Sequence, residues 1–104
     1  MSTPEILAEI KRRVAAVDPT AQVVLYGSYA RGEQGPESDI DLLILVDTDR
    51  LDYDSRKRFT SPLYQLEFAA GIMMSPRVVT RHEWFQRQVV TPFFENVQRE
   101  GRTL

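Results

Sequence analysis

The chain has 104 residues, of which 42% are hydrophobic, with 13 basic and 15 acidic side chains and a formal net charge of −2. That length predicts one compact domain spanning residues 1–104, burying only roughly 60–65% of its unfolded surface, and the slightly negative balance excludes a general nucleic-acid binder, which carries a positive stripe. The absence of cysteine rules out disulfides and thiolate metal sites. The longest apolar run, Leu42 to Val46, is far too short to span a membrane. The opening Met-Ser-Thr-Pro-Glu has neither the basic region nor the apolar stretch of a signal peptide, so the expected location is the cytoplasm, away from any membrane.

A first helix is predicted from Thr3 as cap, Pro4 at the first helical position and Glu5 against the positive end. Ile6, Ile10, Val14 and Val17 recur at helical spacing, with Leu7 widening the stripe, until Asp18-Pro19 stops the helix. Lys11-Arg12-Arg13 and, further on, Arg56-Lys57-Arg58 read as solvated helix faces. Ala21 to Tyr26 is a short buried strand ending at Gly27-Ser28. Residues 29–38 form a loop, opening with one helical turn after Ser28. Ile40 to Val46, Ile-Asp-Leu-Leu-Ile-Leu-Val, has the continuous apolar character of a central strand covered on both faces.

Asp52 or Asp54 is positioned to cap a helix running to Ala70, with Phe59, Leu63, Leu66 and Ala70 on one side. Pro62 inside it predicts a kink or two shorter helices, and Gly71 ends it. Ile72 to Val79 reads as a third strand, at an edge or bulged because of Pro76. Thr80-Arg-His-Glu83 has capping-box spacing and opens a helix carrying Trp84 and Phe85. Thr91-Pro92 starts a last short helix closed by Gly101. His82 is expected on the surface. Trp84, Phe85, Phe93 and Phe94 fit core packing, with a partner-binding face as the alternative. The order α-β-loop-β-α-β-α-α is too irregular for a doubly wound sheet. It predicts an α+β fold, a small mixed sheet of three core strands with helices packed on it.

One constellation carries chemistry: Gly27-Ser28, ten intervening residues, then Asp39-Ile40-Asp41. Alternate strand residues point the same way, so both aspartates are expected on one side. Two carboxylates about 5 Å apart repel by about 3 kcal/mol at an effective dielectric near 20, which a cation would relieve. Oxygen-only ligands favour Mg²⁺ or Mn²⁺ over zinc. Gly27 permits close backbone approach to a phosphate, Ser28 adds a hydroxyl, and Arg31 lies one helical turn further on.

Gly27-Ser28-Tyr29-Ala30-Arg31-Gly32 followed by Ser38-Asp39-Ile40-Asp41-Leu42 resembles the signature of the minimal nucleotidyltransferases of the DNA polymerase β-like superfamily, alongside kanamycin nucleotidyltransferase. The resemblance covers the whole chain and is strongest over residues 25–46. It implies the superfamily's fold and a nucleoside triphosphate, ATP foremost, on Gly27, Ser28 and Arg31. It also implies that Asp39 and Asp41 hold the divalent cation and act as the catalytic pair. Many relatives are encoded beside a helical HEPN-domain protein, and some are antitoxins that transfer AMP to a tyrosine of that partner. A HEPN-type partner is therefore implied here. One feature departs from the pattern. Active relatives carry a third carboxylate on the strand beside the aspartate pair, whereas Ile72 to Val79 contains no acid and offers Ser75 or Arg77 instead. Glu67, the nearest acid upstream, is expected to be solvated on its helix. General-base assistance is worth about 10²–10⁴-fold in rate, so two functions remain open. One is metal-dependent transfer of AMP to a protein or small-molecule hydroxyl. The other is an idle domain that binds and neutralises a HEPN-type partner.

Overall fold

The computed structural model describes residues 1–86 and 91–104. Helix α1 spans Thr3–Val17 and is capped one residue earlier than expected. Ser2 accepts from the Glu5 N–H at 3.3 Å while Glu5 Oε1 accepts from the Ser2 N–H at 3.0 Å. The reciprocal box needs an acid three residues after the cap, and Thr3 would have found Ile6 there. Asp18 turns extended and ends the helix.

Strand β1 (Gln22–Tyr26) leads through Gly27 into the single turn α2 (Ser28–Arg31). Strand β2 (Ile40–Val46) returns antiparallel to β1, and β3 (Met74–Thr80) lies parallel to β2. Between them α3 (Tyr53–Ala70) starts at Asp52, whose carboxylate accepts from the Ser55 N–H at 2.8 Å, and ends at left-handed Gly71. It runs as one helix through Pro62, so the expectation of two shorter helices does not hold. Proline removes one donor from the ladder, and here its carbonyl is additionally taken by Arg13 Nη1 at 2.8 Å. Helices α4 (Arg81–Phe85), capped by Thr80, and α5 (Pro92–Glu100) follow. A two-residue strand β4 (Arg102–Thr103) then pairs antiparallel with β1. The sheet order is β3-β2-β1-β4, mixed, with β2 inside and Pro76 accommodated on edge strand β3. The fourth strand goes beyond the three expected.

Each strand divides its side chains between two layers. Ile40, Leu42, Ile44 and Val46 face Ile6, Ile10 and Val14 of α1 and Phe59, Leu63 and Leu66 of α3. On the opposite face Leu43 and Leu45 pack under Trp84 and Val97, with Phe93 and Phe94 alongside. Trp84 is thus core, and edge-to-face contact with Phe93 at 6.0 Å fixes it. Phe85 and His82 are exposed. Among the described residues no helix is long and apolar enough to cross a membrane.

Candidate active site

The second, thinner layer leads to the aspartates. Asp41 stands at the start of the β2 row that continues into Leu43 and Leu45, opposite Tyr26 on β1 and Ser75 on β3. Gly27 follows Tyr26 with φ +78°, a backbone conformation that side-chain-bearing residues resist. A Cβ on Gly27 would lie 2.3 Å from Asp41 Oδ2. Glycine therefore lets the Gly27-Ser28 turn press directly against the carboxylate. Its carbonyl accepts from the N–H groups of Ala30 at 3.0 Å and Arg31 at 3.2 Å, which winds α2. Buried Tyr29 roots that turn in the main core.

Asp39 lies just ahead of β2 and is exposed. It borders a hollow with Pro36, Ser38 and Gly71, whereas Asp41 borders a cleft of about 490 Å³ with Tyr26, Ser75, Arg77 and Phe93. The alternation argument strictly covers Asp41, since β2 begins at Ile40; Asp39 reaches the site through its charge. Burial pushes the Asp41 carboxyl above its usual range, the negative charge of Asp39 raises it further, Arg31 opposes the shift and Glu100 adds to it. Burial likewise raises the Tyr26 phenol, with Asp41 contributing.

Arg31 does not extend freely into this space. Its Nη1 donates to Glu100 Oε2 at 2.9 Å and its Nε to Glu33 Oε2 at 3.4 Å, while Glu100 Oε1 accepts from the Gly27 N–H at 3.1 Å. Arg31 in turn holds the Glu100 carboxyl below its usual range, helped by that N–H. Sequence reasoning missed Glu100. It is far from the motif along the chain, and only the return of the C-terminus along β1 brings it there.

Strand β3 bears no acid from Met74 to Thr80. Ser75 pairs with Asp41 and Arg77 with Leu43, so these are the β3 positions that look towards the aspartate, as expected. The Arg77 guanidinium sits 4.5 Å from the centre of the Phe93 ring. Glu67, expected to be solvated, is half-buried and accepts from the Met74 N–H at 2.6 Å. It satisfies the first backbone donor of β3 and is a structural acid.

Among the described residues no three acidic, histidine or cysteine side chains gather into a metal cage. Two carboxylates, one of them half-buried with its charge only partly offset by Arg31, still fit Mg²⁺ or Mn²⁺. Mg²⁺ is commonly held by one or two carboxylates with phosphate oxygens and water completing its shell.

Comparison with known proteins gives the chain a family and a fold. The family model for the nucleotidyltransferase domain matches residues 5–90. A Methanocaldococcus jannaschii protein named "putative protein adenylyltransferase" is 31% identical over 104 residues, covering 97% of each chain. Among solved structures, a toxin–antitoxin crystallised with AMP-PNP superposes with a TM-score of 0.61 at 23% identity, covering 98% of this chain and 72% of the other. A mutant of the toxin–antitoxin pair MntA–HpeT gives 0.59 at 21%, covering 99% and 72%. These two likenesses establish the α+β fold, and the family match together with the archaeal relative establishes that this chain belongs to the nucleotidyltransferase domain family.

Proposed function

We propose that the domain binds ATP with Mg²⁺ or Mn²⁺ and transfers AMP to a hydroxyl of a partner protein. The observation that carries the proposal is the contact between Gly27 and Asp41: a Cβ on the glycine would lie 2.3 Å from Oδ2, so the phosphate-binding turn and a metal-binding carboxylate meet in one place. Gly27, Ser28 and Arg31 would hold the triphosphate, and Asp39 and Asp41 the cation. The bound cation would supply charge neutralisation on the phosphates and polarisation of the leaving oxygen. The acceptor oxygen forms a bond to the α-phosphorus, the bond to the β-phosphate oxygen breaks, and pyrophosphate leaves. The acceptor's proton passes to solvent or to a group on the partner, because β3 supplies no acid. The archaeal relative's name supports adenylyl transfer, and the structural neighbour, a toxin–antitoxin with AMP-PNP, supports ATP and a protein partner. The HEPN class of that partner rests on the resemblance of the signature.

Incubating the protein with labelled ATP and Mg²⁺, with and without a HEPN-type partner protein, tests the reading. Metal-dependent label on the partner, absent in Asp41→Asn, is expected. Label that survives Asp41→Asn would refute the assignment of the site. The alternative of an idle partner-binding domain draws on the acid-free β3 strand and on an exposed aromatic face of α3, where Phe68 is 92% and Tyr53 75% exposed. A tight complex that never acquires label would select it.

A further inference from the structure

The turn and the guanidinium assigned to phosphate are anchored by a carboxylate from the far end of the chain. Glu100 ends α5 with a side chain only 14% exposed. One oxygen takes the Gly27 N–H at 3.1 Å and the other takes Arg31 Nη1 at 2.9 Å. The segment around it is closely built. A Cβ on Gly101 would lie 2.4 Å from the Val97 carbonyl oxygen and 2.8 Å from Val24 Cγ1, so glycine is required for α5 to end against β1. The next two residues pair with Leu25 and Val24, and the Leu104 N–H donates to the Val23 carbonyl at 2.9 Å. The C-terminus is thus fastened along the strand whose end carries the Gly27-Ser28 turn, and Glu100 reaches that turn directly.

We infer that Glu100 is a positioning residue of the nucleotide site, holding the Gly27-Ser28 turn and the Arg31 guanidinium in place beside Asp41. Gly27 has no side chain with which to fix itself, and a glycine turn is the most permissive backbone in the chain. Arg31 is long and partly exposed, its other partner is the exposed Glu33 at 3.4 Å, and without Glu100 it would spread over more rotamers. One ionised carboxylate restrains both through charge-assisted hydrogen bonds, and a preorganised site loses less freedom when the ligand arrives. Arg31 then acts on the phosphates from a fixed base. The inference rests on the reading of Gly27, Ser28 and Arg31 as the phosphate holder.

The test compares Glu100→Gln and Glu100→Ala with the wild type. It measures thermal melting, the Gly27 amide and Arg31 Nε resonances of the free protein, and the Kd for Mg-ATP. Glu100→Gln keeps the shape and one acceptor but loses the charge. It is expected to stay folded, to shift both resonances, and to bind Mg-ATP about tenfold more weakly. Glu100→Ala loses both contacts and should bind more weakly still. If the alanine variant does not fold, the glutamine variant decides. Unchanged affinity or unmoved resonances in folded Glu100→Gln would overturn the inference while leaving the nucleotide site intact. Tighter binding would overturn it too, making Glu100 a competitor of phosphate. Failure of the wild type to bind Mg-ATP would sink the proposed function and this role together.

Discussion

The two faces of the sheet are built differently. Among the described residues, one is covered by α1 and α3 and holds fifteen buried residues, from Ile6 to Val78. The other has four buried residues among those described, Leu43, Leu45, Trp84 and Val97, under the short helices α4 and α5. The constellation assigned to chemistry, Asp41, Gly27, Arg31 and Glu100, belongs to the thin face or its margin. The thick layer supplies most of the apolar burial, and the thin one leaves space for a ligand and for polar groups. Stability and ligand binding should therefore separate by face.

The largest expected effect comes from the thick face. Ile10→Ala, at a fully buried position, should cost about 2–5 kcal/mol. Chemical denaturation would show it as a fall in midpoint, while the folded fraction binds Mg-ATP as the wild type does. Val97→Ala on the thin face should cost only about 1.5–2 kcal/mol, yet weaken Mg-ATP binding, because Val97 seats the helix that delivers Glu100. Equal effects on affinity from both variants would abolish the distinction between the faces.

Gly27→Ala sharpens the contrast at the site itself. With φ +78° and ψ −157° Gly27 lies in a region essentially reserved for glycine, which costs an alanine about 1–3 kcal/mol, and its methyl would also have to displace Asp41. Calorimetry should show destabilisation with Mg-ATP binding lost. Asp41→Asn should do the reverse to stability. Burial and Asp39 raise the folded-state pKa of Asp41, so its ionised form opposes folding at neutral pH. The neutral amide should leave the protein equally stable or more stable, by at most about 1 kcal/mol after screening, while removing the metal-dependent part of ATP binding. A lower melting temperature for Asp41→Asn would show that the carboxylate is relieved by a partner within the protein.

Much of this was legible in the residue order. β2 was readable because it is apolar on both faces, which placed Asp39 and Asp41 at its mouth; the role proposed for them came from the resemblance of the signature. The helix stops at Asp18 and Gly71 followed from local backbone chemistry. Ser2 displaced Thr3 as cap because the box is set by the position of Glu5. Pro62 did not split α3 because tertiary packing of Phe59, Leu63 and Leu66 spans it on both sides. β4 and Glu100 were not legible. A two-residue strand has no period, and a glutamate on a short amphipathic helix looks solvated until the chain's end folds back along β1. Glu67 was misread for the same reason, since the N–H it accepts belongs to the next element.

The smallest expected effect lies on the thick face's outer surface and concerns pH. On α1, Arg12 and Arg13 both donate to Glu9, Arg13 Nε at 2.8 Å, and they hold its carboxyl at about 2 against an ordinary 4.5. A carboxylate depressed in the folded state stabilises that state fully above its unfolded pKa. The contribution declines as pH falls below 4.5 and is gone once pH has passed through about 2. Glu9→Gln should therefore lower stability slightly at neutral pH, by an amount kept small because the pair is at the helix surface and screened by salt, and should flatten the acid limb between those values by that same small amount. Nucleotide binding at neutral pH should not respond, since α1 packs on the layer away from Asp41. Melting curves of both proteins from pH 2 to 7, at low and high salt, measure this directly. An acid limb identical in Glu9→Gln and wild type would assign the acid sensitivity to other carboxylates. A change in Mg-ATP affinity in that variant would mean that charge on the thick face reaches the site, and the two faces would no longer be independent.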